Sequence, residues 1–242
     1  MKAAVYAGTK NLYSDMVTAA KSLVQNSSVD VVYFLIESEK FPHYIPPYVK
    51  TIDVSKQKYF SKACPNVYKK WSYMTLMRCT LTKYFPNLDK ILWLDVDTVV
   101  QDNIDELWDL DLTDYYFTGS LEPEKSTAEK PYINAGVMMI NLKKLREDGM
   151  DDILIKALNN KKYEFADQDC INDICRDKIL IFSSTYNAND YTEPCKNPKI
   201  RHFAAEAYWQ DNPILYQYRN RNWGDLKWIR SIGRYNDCFK KT

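Results

Sequence analysis

Residues Val31-Val32-Tyr33-Phe34-Leu35-Ile36 form an unbroken apolar run between Asp30 and Glu37. A strand with one wet face alternates apolar and polar residues. An unbroken run of this length therefore reads as a strand covered on both faces. Two covered faces require helices, and helical spacing follows at Asp15 to Leu23 and again over residues 68–85. The rest of the chain repeats the alternation. Ala3 to Ala7 reads as a first strand, and the proline-bearing residues 40–66 as loop around one edge strand. Ile133 to Ile140 reads as one strand, and Asn141 as the cap of a helix ended by Gly149. Asp151 to Leu158 and Asp167 to Cys175 read as helices, Ile179 to Phe182 and Lys199 to Phe203 as strands, and residues 120–131 as a mobile loop. With no linker or internal repeat, the pattern predicts one α/β domain over residues 1–242, its mixed central sheet flanked by helices.

Composition excludes several functions. The 33 basic and 32 acidic residues nearly cancel, which argues against a nucleic-acid scaffold. Only 6 glycines occur, and neither phosphate-binding glycine motif is present. The six cysteines contain no C-x-x-C pair, so reduced thiols are expected. No segment has the apolar length of a membrane span, and the first strand is too short for a signal sequence. A cytoplasmic setting is the expectation from these features.

The chemistry concentrates in residues 90–100, "KILWLDVDTVV", where Asp95 and Asp97 interrupt an apolar run. If the strand persists, both carboxylates point the same way, repel each other and call for a divalent cation. The preceding helix, read as Tyr68 to Phe85, carries Arg78 on the same face as Trp71, Met74, Leu81 and Phe85. A desolvated guanidinium there needs a buried acid or a phosphate. Asn103, with Glu106 three residues on, reads as a capping box.

Three kinds of site carry paired acids of this type. A calcium loop is excluded because its sixth position, Val100, must be glycine. A phosphatase of the haloacid dehalogenase type would use Asp95 as nucleophile, but that motif ordinarily opens the chain. The third is a sugar transferase. The D-x-D-T-V-V strand and following "DELW", with "YINAGVMMINL" at 132–142, "DQDCIN" at 167–172 and "IRHF" at 200–203, resemble glycosyltransferase family 8, the glycogenin and lipopolysaccharide galactosyltransferase-like group. The four motifs stand in the family's order across residues 3 to 209.

That resemblance implies a GT-A fold and a metal-dependent, retaining transfer of a hexose from a UDP-sugar to a glycan, lipid-linked glycan or other hydroxyl acceptor. It implies a nucleotide-binding half at about 1–110, a donor-sugar and acceptor half at about 111–209, and a C-terminal helical tail at 210–242. Asp95, Asp97 and His202 would hold Mn2+, with Mg2+ as second choice. Ala7, Gly8, Thr9, Tyr13, Arg78, Asp95, Val96, Asn134, Ala135, Asp167 and Gln168 would bind the donor, Tyr13 by stacking. Gln168 would lie nearest the anomeric carbon, with Asp167 orienting sugar hydroxyls. A haloacid dehalogenase-type phosphatase and a non-enzymatic nucleotide-sugar binder are the alternatives. One departure stands out: after His202 the family continues with a glycine and Lys-Pro-Trp, whereas here Phe203-Ala204-Ala205-Glu206-Ala207-Tyr208 precedes Trp209. Lys196, Lys199 and Arg201 are the candidate replacements for the missing lysine. The aromatic tail, with Trp209, Tyr216, Tyr218, Trp223 and Trp228, reads either as helices completing the core or as a patch for acceptor or peripheral membrane contact.

Overall fold

The computed structural model describes residues 1–38, 40–67, 72–206, 208–219, 221 and 223. Its main sheet contains β1 (Ala3–Gly8), β2 (Val31–Ile36), β3 (Val49–Asp53), β4 (Lys90–Leu94), β6 (Phe117–Leu121), β7 (Ile133–Asn134), β8 (Val137–Asn141) and β9 (Ile179–Ile181). A separate two-stranded ladder joins β5 (Thr98–Val100) and β10 (Ile200–His202). The main sheet runs β3-β2-β1-β4-β8-β6-β7, with β9 also paired to β6. β1 to β4 pair in parallel, while β8 is antiparallel to both β4 and β6, which makes the sheet mixed.

Alternation along the strands builds a core on each face. In β4, Ile91 and Trp93 enter one cluster and Leu92 and Leu94 the other. Each of the two leucines is fully buried, for roughly 1.5–3 kcal/mol apiece. α1 (Tyr13–Gln25) covers the leucine face. The other face is covered by α2 (Tyr73–Leu76), α3 (Leu81–Tyr84), α4 (Leu142–Glu147), α5 (Met150–Asn160) and α6 (Ala166–Ile174). α7 (Pro213–Arg219) packs on α1, and the Tyr218 hydroxyl donates to the Val100 carbonyl at 3.1 Å.

Several sequence expectations are revised. The helix expected from Tyr68 starts at Tyr73, capped by the Ser72 side chain; residues 68–71, including Trp71, lie outside the described residues. It tightens to a 3-10 turn over Met77–Thr80. There the Thr80 hydroxyl and the Arg78 Nε–H bond the carbonyls of Met77 and Thr75, competing with the α-helical ladder. The expected capping box does not form. The Asn103 side chain accepts from the Asp105 N–H at 2.9 Å and opens a 3-10 turn, while Glu106 turns to Tyr186 and Lys199. The strand expected over Ile133–Ile140 is divided by a turn at Ala135 and Gly136. The loop expected to be mobile holds a 3-10 turn at Pro123–Lys125, and Ser126 ties it to Glu122 and Tyr132.

The described tail residues Leu215, Tyr218 and Trp223 are buried, completing the core; Trp228 lies outside the described residues. Cys64, Cys79, Cys170, Cys175 and Cys195 are free thiols, and Cys238 lies outside the description. Among the described residues, no helix is long and apolar enough to cross a membrane.

Candidate active site

The two aspartates do not meet through strand alternation. β4 ends at Leu94, and residues 96 and 97 form a turn before β5 begins. The turn is closed by the Thr98 hydroxyl, which donates to the Asp95 carbonyl at 2.7 Å, and by the Asp95 N–H, which donates to the Gly136 carbonyl at 2.8 Å. The β5–β10 ladder sets His202 opposite Thr98, and the Phe203 N–H donates to the Asp97 carbonyl at 2.9 Å. His202 Nε2 thus comes within 3.4 Å of Asp97 Oδ1. Gly136 permits this approach, since a Cβ there would lie 2.1 Å from His202 Cε1. One ligand atom from each of Asp95, Asp97 and His202 falls within 4.8 Å of the others.

Arg78, only 3 % exposed, braces the turn from beneath. It contacts Asp95 at 3.0 Å and Asp167 at 2.7 Å, donates to the Ala135 carbonyl, and lies over the Trp93 ring. Trp93 Nε1 also donates to Asp95 at 2.7 Å. Burial pushes the Asp95 carboxyl up despite Arg78, and pushes Asp167 up to about 6 against the same guanidinium. Burial opposes ionisation of Asp97 too, but the charge of and hydrogen bond from His202 outweigh it and hold that carboxyl below its usual range. His202 moves up in turn, because Asp97 overcomes the burial that would lower it.

Two adjoining cavities share Arg78, Asp95 and Asp97. Their volumes, about 180 and 420 Å³, together suit a small-molecule cleft. The larger is walled by Ala7, Gly8, Thr9, Val96 and Trp209, the smaller by Asn134, Ala135, Asp167, Gln168 and His202.

Residues 4–207 match the family model for glycosyl transferase family 8. The chain belongs to glycosyl transferase family 8. It is 33 % identical over 129 residues to a putative glycosyltransferase of Haemophilus influenzae, covering 48 % of this chain and 39 % of that protein. The chain thus spans about two fifths of that relative's length. The crystal structure of the glycosyltransferase GlyE of Streptococcus pneumoniae superposes with TM-score 0.72 at 21 % identity, over 97 % of this chain and 64 % of that one. The galactosyltransferase LgtC, solved with donor and acceptor sugar analogues, gives TM-score 0.62 at 20 % identity over 95 % of both chains. These superpositions identify the GT-A fold.

Within this family 8 chain, twelve of the thirteen residues singled out from sequence line the paired cavities. Tyr13 does not. It is 2 % exposed, packs against Phe41 in a tilted contact with ring centroids 4.9 Å apart, and accepts the Glu37 N–H through its hydroxyl. Buried against Phe41, the ring is outside the lining of both cavities. Two of the three candidate replacements for the missing lysine are committed elsewhere, Lys199 to Glu106 and Arg201 to Glu206, and the third, Lys196, is exposed and outside the lining of both cavities. Sequence reading passed over Glu122 and Lys125, which also line the cleft, and Asn187 behind it; Trp209, read from sequence as part of the aromatic tail, lines the larger cavity. Glu122 follows β6, a strand hidden in the sequence by Thr118, Gly119 and Ser120. Those small residues are required there. The Thr118 hydroxyl accepts the Met139 N–H, and a Cβ on Gly119 would come within 2.4 Å of Ile133. Ala166, at φ 44°, places a left-handed residue directly before Asp167 and Gln168, a strain of the kind found at functional sites.

Two carboxylates and an imidazole meet at the junction of the cavities, converging on one point from a turn and a strand. This oxygen and nitrogen set fits Mn2+ or Mg2+.

Proposed function

We propose that this chain is a metal-dependent, retaining glycosyltransferase that moves a hexose from a UDP-sugar to a hydroxyl of a glycan acceptor. The observation that carries the reading is the meeting of Asp95, Asp97 and His202 where the two cavities join. A nucleotide in the larger cavity and a sugar in the smaller would place the diphosphate between them, beside those three residues. Mn2+ held there supplies Lewis-acid neutralisation of charge on the departing diphosphate.

The chain's own groups shape the rest. Asp167, pinned by Arg78 at 2.7 Å, presents its remaining acceptor capacity to sugar hydroxyls. Gln168 is engaged at both ends of its amide. Its Oε1 accepts the Ala135 N–H at 3.0 Å, and its Nε2 donates to Glu122 at 3.1 Å and to the Tyr132 hydroxyl at 3.2 Å. An amide oxygen already accepting a backbone proton is a weaker nucleophile, which supports front-side displacement over a covalent route through Gln168. In that displacement the acceptor oxygen bonds the anomeric carbon as the carbon–phosphate-oxygen bond breaks. The acceptor proton passes to the departing phosphate. Gln168 then supports the sugar from below.

A thermal-shift screen of UDP-, GDP- and dTDP-sugars, with and without Mn2+, tests the proposal. A uridine diphosphate sugar at 100 times its Kd adds about 2.7 kcal/mol, and stabilisation is expected only with Mn2+. Asp97→Asn should remove it. No metal-dependent stabilisation by any uridine nucleotide would refute the reading.

A further inference from the structure

We infer that Asn187 is a positioning residue that fixes which imidazole nitrogen of His202 faces the metal. The inference rests on the metal reading above for its function, but not for its geometry. Asn187 is fully buried, lies outside the cleft lining, and its side chain touches His202 on one side and Asn134 on the other.

The direction of every hydrogen bond in this chain of amides follows from groups that have no choice. A carboxylate only accepts and a backbone N–H only donates. Glu122 Oε1 lies 2.7 Å from the Asn134 side chain, so that contact must be the Asn134 amino group. The Asn134 oxygen then receives the Gly136 N–H at 3.0 Å, as it must. The same oxygen faces Asn187 at 2.9 Å, so Asn187 presents its amino group there and its oxygen to His202 Nδ1, 2.8 Å away.

A second anchor gives the same answer independently. The Tyr191 N–H donates to Asn189 at 2.9 Å, which fixes the Asn189 oxygen and turns its amino group inward. That amino group donates to the Asn187 carbonyl and side-chain oxygen, both at 3.1 Å. Its two protons are thereby used, and its 3.5 Å approach to Nδ1 adds nothing. Both routes leave His202 with its proton on Nδ1. The Nε2 lone pair is then free to coordinate at the Asp97 side, where the contact is 3.4 Å. A neutral ring protonated on Nε2 instead would trade the 2.8 Å bond for that longer one and set two lone pairs against each other at Asn187.

The same amide therefore links the metal ligand to Asn134 in the smaller cavity, and two substitutions separate its two bonds. Asn187→Leu removes both, and Mn2+ affinity should fall about 10–100-fold, the usual cost of losing a partner behind a ligand. Asn187→Asp keeps an acceptor for Nδ1–H but faces the Asn134 oxygen with a second acceptor. Mn2+ affinity should stay within about three-fold while the KM for the donor rises. Mn2+ binding is read by the electron paramagnetic resonance of free ion. Nitrogen-15 spectra of the wild type, metal-free above the imidazole titration and again with diamagnetic Cd2+, should show an exchange-protected Nδ1–H. A neutral ring protonated on Nε2, or unchanged Mn2+ affinity in folded Asn187→Leu, would overturn the inference. If the Leu variant fails to fold, the wild-type spectrum decides. Failure of the wild type to bind Mn2+ would instead overturn the metal reading, and the metal-free spectrum would still decide the role of Asn187.

Discussion

Replacing Arg78 by Met keeps an unbranched apolar stem but removes the guanidinium between Asp95 and Asp167. Contacts of 3.0 and 2.7 Å are each worth about 6 kcal/mol in an effective dielectric of about 20. Much of this is offset by the desolvation of the guanidinium, which the variant no longer suffers. The net loss from stranding buried charges is about 3–5 kcal/mol, a fall in Tm of about 10 °C for a chain of this size. The loss depends on pH in a definite direction. Asp167 titrates near 6 in the fold against 3.8 as its ordinary value, so the native state holds its proton more tightly than the unfolded chain. Through this group, stability falls as pH rises from about 4 to 6. Without Arg78 its folded pKa rises further, and the cost of ionising it extends to higher pH. Urea denaturation in EDTA should therefore show the full deficit at pH 7.5 and a smaller one at pH 5. Adding Asp167→Asn to the Arg78→Met chain should restore more than half of the pH 7.5 loss. A deficit under about 1 kcal/mol at pH 7.5, or an equal deficit at both pH values, would refute the account of Arg78 as the counter-charge that makes this cluster tolerable.

Gly136→Ala would drive a methyl into the His202 ring, displacing it from Asp97. Mn2+ affinity measured by calorimetry should fall on the order of ten-fold or more while the fold persists, and unchanged affinity would contradict the close-approach argument. Ala205 sits at φ 57° in the segment after His202. Ala205→Gly should stabilise the chain by about 0.5–1 kcal/mol in urea titrations, and any loss would show that the left-handed backbone is not strained.

The fold was legible where periodicity and burial agree. The run at 31–36 and the apolar half of 90–94 became doubly covered strands because nothing in their sequence competes. The helix around Arg78 was legible in its face but not in its pitch, since side chains of Arg78 and Thr80 capture the carbonyls that set the pitch. β6 was invisible because its Thr118 and Ser120 are buried as hydrogen-bonding groups, and a polar residue in sequence does not announce its partner. The three residues proposed to hold the metal, Asp95, Asp97 and His202, were legible through short motifs, and the structure brings them together. Asn187 was not, because its inferred role comes from a tertiary chain of hydrogen bonds that runs from Glu122 to His202, 80 positions apart in sequence. Tyr13 shows the converse: the family resemblance placed it in the donor pocket, while packing on Phe41 took its ring into the core.

The charge of the cleft explains how the chain can lack a lysine after His202. Among the described residues lining the two cavities, Asp95, Asp97, Glu122 and Asp167 face Arg78 and Lys125. Four carboxylates against two fixed cations leave a net charge of minus two before His202 titrates. Both cations are internally committed, Arg78 to two aspartates and Lys125 to Glu122 at 2.9 Å. A diphosphate entering this cleft alone would meet repulsion of like charge, with no unpaired cation among the described lining residues to receive it. On the proposed function, one divalent ion at Asp95, Asp97 and His202 would bring the cleft to neutrality and become the principal attraction for the anion. Binding is therefore expected to be ordered: UDP should show no measurable heat of binding in EDTA, and Mn2+ should bind without UDP. With no unpaired lysine among the described lining residues, the coupling is expected to be steeper, since the ion would carry charge stabilisation that a lysine would share. Calorimetry of UDP at two Mn2+ concentrations, below and well above the ion's own Kd, reads this directly. Comparable UDP affinity with and without the ion would show that some other cation serves the diphosphate.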